Sequence, residues 1–237
     1  MQVRRDPEDN HLLASLLDAE RDRIYSRLQL VPMPVGKILY EPGHMLRHVY
    51  FPIDCVVSLL CVMKDGASAE ISAVGREGLV GIAPFMGGQS TSTWAVVQIA
   101  GRAYRLSAKR LTDEFHRSAA WQLLLLRYTQ GLITQTAQIA ACNQHHSVDQ
   151  QLCRWLLYML DRLPSNRLSM TQERIANTLG VRREGITAAA AKLQKLGAIR
   201  YSRGEVTVVD PKKLQQLCCE CYAVVKEETD RLAGATA

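Results

Sequence analysis

Residues 169–196 read S-M-T-Q-E-R-I-A-N-T-L-G-V-R-R-E-G-I-T-A-A-A-A-K-L-Q-K-L, and their spacing decides the C-terminal fold. Thr171, or Ser169, can cap a first helix, because a hydroxyl there accepts from an orphan N–H of the first turn. Ile175 and Leu179 fall at i, i+4 on one face, with Ala176 beside them, small enough to let a second helix approach. Gly180 follows where that helix should stop, since glycine takes the left-handed conformation of a C-terminal cap without strain. Val181 plugs the turn. A second helix is then predicted from about Arg183 to Lys195, with Ile186, Ala189, Ala190 and Leu193 inside. A small residue, a glycine four positions on and a branched apolar residue six after that make the spacing of a helix-turn-helix.

Downstream, Ala198–Ser202 and Glu205–Val209 predict two short strands around Arg203-Gly204. A tight hairpin behind a helix-turn-helix is a winged helix. Arg182, Arg183, Glu184 and Thr187 lie at the N-terminal end of the second helix, the end that enters a major groove. Arginine can pair bidentately with guanine, and glutamate can accept from cytosine N4. Lys192, Lys195, Arg200 and Arg203 suit phosphates, as do Thr171 and Gln172 at the start of the first helix. The charge agrees. The chain of 237 residues carries a formal +6, and residues 150–217 hold twelve basic against five acidic residues, net +7. Residues 1–116 are neutral, with thirteen of each sign. A basic block of this kind implies a polyanion such as double-stranded DNA, with a solvated basic surface or a protein-binding module as the alternatives.

Upstream of the basic block the pattern changes twice. Residues 12–30 have a helical period (Leu13, Leu16, Leu17, Ile24, Leu28). From Val35 to Leu106 short β-rich runs follow: Lys37–Tyr40, His48–Ile53, Cys55–Met63, Ala69–Val74, Trp94–Ala100 and Ala103–Leu106. Asp65-Gly66 between two of them is a hairpin signal, and six such strands suggest a small barrel or roll. Ser107 can cap a short helix to about His116. A long helix then runs from about Ser118 to Asn143, with no Asp, Glu, Lys or Arg between Tyr128 and Val148. Its positions Trp121, Leu125, Tyr128, Leu132 and Ile139 form a heptad-like seam interrupted at Gln135, read as a homodimer interface. The domains expected are a sensor β-roll at 1–116, a dimerisation helix and hinge at 117–147, and a winged helix at 148–237. The fold class expected is α+β.

At this point the chain resembles the Crp/Fnr family of bacterial transcription regulators over nearly its whole length. The resemblance rests on the β-rich segment 35–106, the uncharged helix 118–143 and the winged helix 169–209. It implies a jelly-roll-like β-roll of the cyclic-nucleotide-binding type, a dimerisation helix, DNA as partner and RNA polymerase as a further one. Arg183-Glu184 stand where the family's base-reading Arg-Glu pair stands, while Gly185 replaces a frequent Ser or Thr. In the family's cyclic-AMP-responsive members a Phe-x-Gly-Glu cassette and a following Arg–Ser pair hold the ligand. Here Gly81 matches the glycine, Ile82 replaces the glutamate, and no arginine occurs from Leu79 to Gly101. An uncompensated cyclic phosphate would cost several kcal/mol, about what an unpaired buried charge costs. Cyclic AMP is therefore not expected as effector. Gly81, Ile82, Ser90, Thr91, Ser92 and Thr93 remain the candidate effector pocket for a ligand the sequence does not identify.

The other reactive side chains carry no chemistry that the sequence makes legible. Seven cysteines (55, 61, 142, 153, 218, 219 and 221) lack the spacing of a disulfide framework. Cys55 and Cys61 share a strand face and read as core. Cys218, Cys219 and Cys221 are assigned to one C-terminal helix, where three thiols converge poorly on a tetrahedral ion, and they read as buried thiols, with a metal or redox role as the alternative. His44, His48, His145 and His146 show no carboxylate partner in sequence. No metal, cofactor or catalytic group is expected. A β-barrel metal-dependent enzyme would need a His-x-His…Glu pattern, and neither that nor a Gly-x-Ser-x-Gly, Walker or HExxH motif occurs. No signal segment or membrane span is read, which gives a soluble cytoplasmic protein as the expectation.

Overall fold

The computed structural model describes residues 6–234; Arg4 and Arg5 of the charged N-terminal stretch lie outside the described residues. The described chain divides into two compact units. One runs to Leu59 and takes in Ala73–Gln130; the other joins Leu60–Ser72 to the chain from Gly131 onward. The architecture is α+β with antiparallel pairing throughout the registered strands.

In the N-terminal unit, two short helices, α1 (His11–Ala14) and α2 (Asp18–Tyr25), precede the strands. Strands β1 (Gln29–Met33), β3 (His48–Pro52) and β7 (Gly101–Ser107) form a sheet ordered β1-β7-β3. Strands β2 (Ile38–Tyr40), β4 (Val56–Val62), β5 (Ser68–Val74) and β6 (Trp94–Ile99) form a second, ordered β2-β6-β4-β5. Strand β1 corrects the sequence reading, which gave residues 12–30 a helical period and began the β-rich runs at Val35. Pro32 lacks a donor, but β1 is an edge strand paired only through β7, where one missing N–H costs little. Helix α3 (Ala108–Arg117) starts on Ser107, whose hydroxyl accepts from Arg110 N at 3.3 Å, as its sequence predicts. One hydrophobic cluster joins the sheet to the helices. Val49 and Phe51 of β3 and Tyr104 and Leu106 of β7 pack with Leu13, Ile24, Leu111, Phe115, Trp121 and Leu125.

Helix α4 (Ala119–His145) follows, then α5 (Val148–Arg162). Ser147 caps α5 in a reciprocal capping box with Gln150. Beyond it lie β8 (Arg167–Ser169), α6 (Gln172–Leu179), α7 (Arg183–Lys195), β9 (Ile199–Ser202), β10 (Glu205–Val208), α8 (Pro211–Leu217) and α9 (Cys221–Gly234). The third sheet is ordered β8-β10-β9; its three-residue β8 is too short to carry a periodic signal. Helix α8 ends at Leu217 and α9 begins at Cys221, so the three C-terminal cysteines do not share one helix. This corrects the reading above: apolar periodicity runs through the segment, but Cys218 caps α8 in an extended conformation and turns the chain.

Asn10 ties the N-terminal segment to the sheet. It is fully buried, its Nδ2 donates to Pro52 O and Gly78 O at 2.8 Å each, and its Oδ1 accepts from Leu13 N at 3.1 Å. Asn10→Ala removes a helix cap and strands two carbonyls away from water. Urea titration should show a loss of about 2–4 kcal/mol; a loss below about 0.5 kcal/mol would mean that water replaces the amide.

Candidate nucleic-acid interface

The corner between α6 and α7 is built from small residues. Ile175, Ala176, Thr178 and Leu179 are buried on α6; Ile186, Ala189, Ala190 and Leu193 are buried on α7. Gly180 takes φ +68° and ψ +30°, a left-handed cap whose N–H donates to Ala176 O. Val181 N donates to the same carbonyl at 3.0 Å, which closes the turn. Thr171 caps α6, its hydroxyl accepting from Arg174 N at 3.3 Å. Both helices therefore stand where the sequence spacing put them.

With those four residues inside, α7 presents Arg183, Glu184, Thr187, Ala188, Ala191, Lys192 and Lys195 to solvent. Arg182 is the exposed N-cap, and no side chain closes the first turn of α7. That end thus combines free backbone donors with two guanidiniums, the positive end of the helix dipole. Thr187 Oγ1 lies 2.7 Å from Gln172 Oε1 and 3.1 Å from Arg183 O, which links the two helices at their exposed edge. Lys192 Nζ is held by the Asp149 carboxylate at the start of α5, a pairing the sequence could not show. Ala188 and Ala191, small apolar residues on the exposed face, also escaped the sequence reading, because alanine gives no signal by itself.

The wing is a two-residue hairpin. Glu205 pairs with Ser202, and Arg203 (φ +51°) and Gly204 (φ +79°) form the turn, both left-handed as a primed turn requires. Arg203 is exposed at its tip. Tyr201 anchors the hairpin by donating its hydroxyl to Met170 O at 2.9 Å. Exposed Arg167 on β8 and Arg200 on β9 flank Thr207 of the central strand β10. Exposed Glu173 and Glu205 temper the positive field.

The face of α4 read in sequence as a dimer seam is largely covered within the protomer. Trp121, Leu125, Leu132 and Ile139 are 1, 0, 9 and 5 % exposed, and half-buried Tyr128 donates its hydroxyl to Leu79 O at 2.8 Å. Four of the five are thus covered by their own protomer, and Tyr128 is partly so. Gln135, the polar interruption, accepts from Arg162 Nη2 at 2.9 Å. The exposed stripe is Leu123, Leu126, Gln130, Ile133, Ala137 and Ala140, spaced by three and four. Leu123, Leu126 and Ile133 are 48, 44 and 62 % exposed. Periodicity identifies two apolar faces on this helix but does not say which one the protomer covers.

Of the six residues read as an effector pocket, four are engaged locally. Gly81 is buried at φ +106°, where a Cβ would come within 3.3 Å of Val49. Ile82 packs against the hydrophobic cluster. Thr91 and Thr93 bond each other's hydroxyls at 3.0 Å; Ser90 and Ser92 are exposed. Two depressions in the same unit lie elsewhere. One is lined by Arg23, Arg27, Arg110, Glu114 and Arg117 among others, and the other by Arg27, Gln29, His48, Arg105, Ser107 and Arg110. Burial, with Arg105 and Arg47 nearby, holds the His48 pKa below its ordinary value. Among the described residues no helix is long and apolar enough to cross a membrane.

Comparison with known proteins bears on this geometry. Residues 150–217 match the Crp-like helix-turn-helix domain family. No curated protein sequence matches the chain. Among solved structures it is similar to FixK2 from Bradyrhizobium japonicum, with a TM-score of 0.70 at 15 % identity, covering 81 % of this chain and 98 % of that one. It is also similar to a Crp/Fnr-family transcriptional regulator from Eubacterium rectale, with a TM-score of 0.63 at 19 % identity over 89 % and 98 %. A third is the c-di-GMP-responsive global regulator CLP of Xanthomonas campestris, with a TM-score of 0.62 at 18 % identity over 81 % and 99 %. At these identities the likeness speaks for the fold. The protein therefore has the fold of the Crp/Fnr regulators and carries, in residues 150–217, a Crp-like helix-turn-helix domain.

Proposed function

We propose that this protein is a homodimeric, sequence-specific DNA-binding transcription regulator and not an enzyme. The observation that carries the reading is the exposed Arg182-Arg183-Glu184 at the uncapped N-terminus of α7, on a helix-turn-helix followed by a wing. In this reading Arg183 and Glu184 contact base edges, with Arg182 and Thr187 beside them. Ala188 offers the apolar surface that a thymine methyl accepts. Arg203 at the wing tip, Lys195, and the first turn of α6 at Thr171 and Gln172 meet phosphates. Lys192 belongs to the same face but must first leave Asp149, so it contributes less.

Two copies meet through the exposed stripe on α4. An uncharged stripe spaced by three and four is a coiled-coil surface, and a two-fold pair of winged helices reads a pseudo-palindrome with half-sites about 34–36 Å apart. The functional division is a sensor at 1–116, a dimerisation helix at 117–147 and a DNA-binding domain at 148–237. Ile82 in place of an acid, and no arginine from Leu79 to Gly101, favour an effector other than cyclic AMP. RNA polymerase is the further partner that the fold suggests.

Selection from a random duplex pool at near-physiological salt tests the core of this reading. An enriched inverted repeat supports it. Binding that loses no affinity as salt rises would favour a protein-interaction module instead, since phosphate contacts release counterions. On the selected site, Arg183→Ala should cost about 1–3 kcal/mol and relax preference at one base pair per half-site, measured by competition with single-base variants. Arg203→Asn suits the left-handed turn and should keep the wing while weakening binding to all sequences alike. Ile133→Asp should yield monomers in sedimentation with an unchanged circular dichroism spectrum, because the residue is exposed in the protomer. A persistent dimer would place the interface elsewhere.

A further inference from the structure

The C-terminal unit gathers four potential metal ligands from two distant stretches of chain. Cys142 lies in the last turn of α4, and His146 follows one turn later, its N–H donating to Cys142 O at 3.0 Å. Cys219 and Cys221 flank the bend where α8 gives way to α9. The three sulfurs and one imidazole nitrogen all lie within 4.8 Å of one another. Cys142 Sγ and Cys219 Sγ are 3.6 Å apart, and Cys221 Sγ is 3.4 Å from His146 Nδ1. A tetrahedral site with zinc–sulfur bonds of about 2.3 Å sets its ligand atoms roughly 3.5–3.8 Å apart.

We propose that Cys142, His146, Cys219 and Cys221 bind one zinc ion in a closed Cys3His site. The surroundings are those of such a site. Cys142, Cys219 and Cys221 are 0, 6 and 1 % exposed, which leaves little room for water as a ligand. His146 turns its other ring nitrogen, Nε2, to the Glu220 carboxylate at 3.4 Å. A carboxylate there fixes the tautomer that leaves Nδ1 free for the metal and raises its basicity. Gln138 Nε2 donates to Cys221 Sγ at 3.2 Å, an amide bond of the kind that steadies a thiolate. Gln151 Nε2 holds His146 O at 2.9 Å, and Tyr158 holds Cys221 O at 3.2 Å, so both ligand-bearing segments are anchored.

Arg154 supplies an independent observation. It is 2 % exposed, its guanidinium carbon lies 5.9 Å from the Tyr158 ring centroid, and its charge acts on Cys142. Its Nη2 donates to Asn143 Oδ1 at 3.2 Å, but Nε and Nη1 have no hydrogen-bond partner among the described residues. A buried guanidinium with idle donors is costly unless negative charge lies near. Three thiolates, a neutral imidazole and a divalent cation carry one net negative charge, and Arg154 offsets it. Binding exchanges three thiol protons for the ion; no electrons move. The soft sulfur set and tetrahedral spacing select zinc over oxygen-seeking cations. The site would staple α9 to the end of α4, next to the Ser147 cap that starts α5.

The test uses the full-length protein expressed in zinc-supplemented medium and purified under reducing conditions without chelator. Mass-spectrometric metal analysis should find close to one zinc per chain. Cys142→Ser and Cys219→Ser should lose it, and Cys61→Ser, in the β4–β5 hairpin and outside the cluster, should keep it. Because the serine variants could fail to fold, Co2+ titration into the unaltered, chelator-stripped protein provides a second reading. A thiolate-to-cobalt charge-transfer band with the strong visible bands of a tetrahedral complex is expected. The proposal is overturned if the unaltered protein holds no zinc and gives no such bands. It is also overturned if zinc survives Cys219→Ser, or if peptide mapping of the freshly purified protein finds Cys142 and Cys219 joined as a disulfide.

Discussion

Helix α4 has no face that water prefers. From Tyr128 to its end at His145 it carries no Asp, Glu, Lys or Arg, and burying one side in the protomer leaves Leu123, Leu126 and Ile133 exposed on another. Inside, Trp121 and Leu125 complete the N-terminal core, and Leu132, Ile139 and Cys142 are buried further along. Outside, Leu123, Leu126 and Ile133 remain. Fully covering a side chain of this size is worth roughly 1.5–3 kcal/mol. Leu123, Leu126 and Ile133 leave part of that stabilisation unrealised in the protomer.

At the other end of the chain the constraint is steric. Two helices can cross closely only where the contact is made by Ala176, Ala189 and Ala190, and the chain can turn so sharply only because Gly180 is left-handed. Fixing that crossing fixes which side of α7 is hidden. The residues left outside carry charge at the helix start and small side chains along its middle. Arg203 shows the same economy: a long cationic side chain sits in a left-handed turn where glycine or asparagine would be easier, with its guanidinium at the tip of the wing.

The N-terminal unit departs most from a ready-made ligand cradle. Thr91 and Thr93 satisfy each other, and Ile82 faces the core. Arginines of this unit gather instead at Arg27, Arg105 and Arg110, around a depression near the end of α2 and the start of α3. Positive charge is therefore available to an anion, but not where the cyclic-AMP cassette would use it.

Local chemistry was legible in the residues themselves. The capping hydroxyls of Ser107 and Thr171, the glycine after Leu179 and the period of Ile175, Leu179, Ile186 and Leu193 each act within one or two turns, so the helix-turn-helix and its wing follow from sequence alone. The concentration of charge in residues 150–217 was equally plain. Choices between equivalent faces were not. Trp121, Leu125, Leu132 and Ile139 were read as a partner's contact surface because the heptad pattern is the same whichever neighbour covers it; only the packed core reveals that the protomer covers it first. Edge strand β1 needed β7 beside it to make sense of Pro32. The cysteines show the same limit most sharply. Cys142 and His146 are 73 or more positions from Cys219, and helical periodicity runs across the bend at 218–220. A bend of three residues, invisible to any periodic pattern, brings three sulfurs and an imidazole to one point. Short-range forces write themselves into sequence spacing, whereas long-range convergence exists only once the chain has folded.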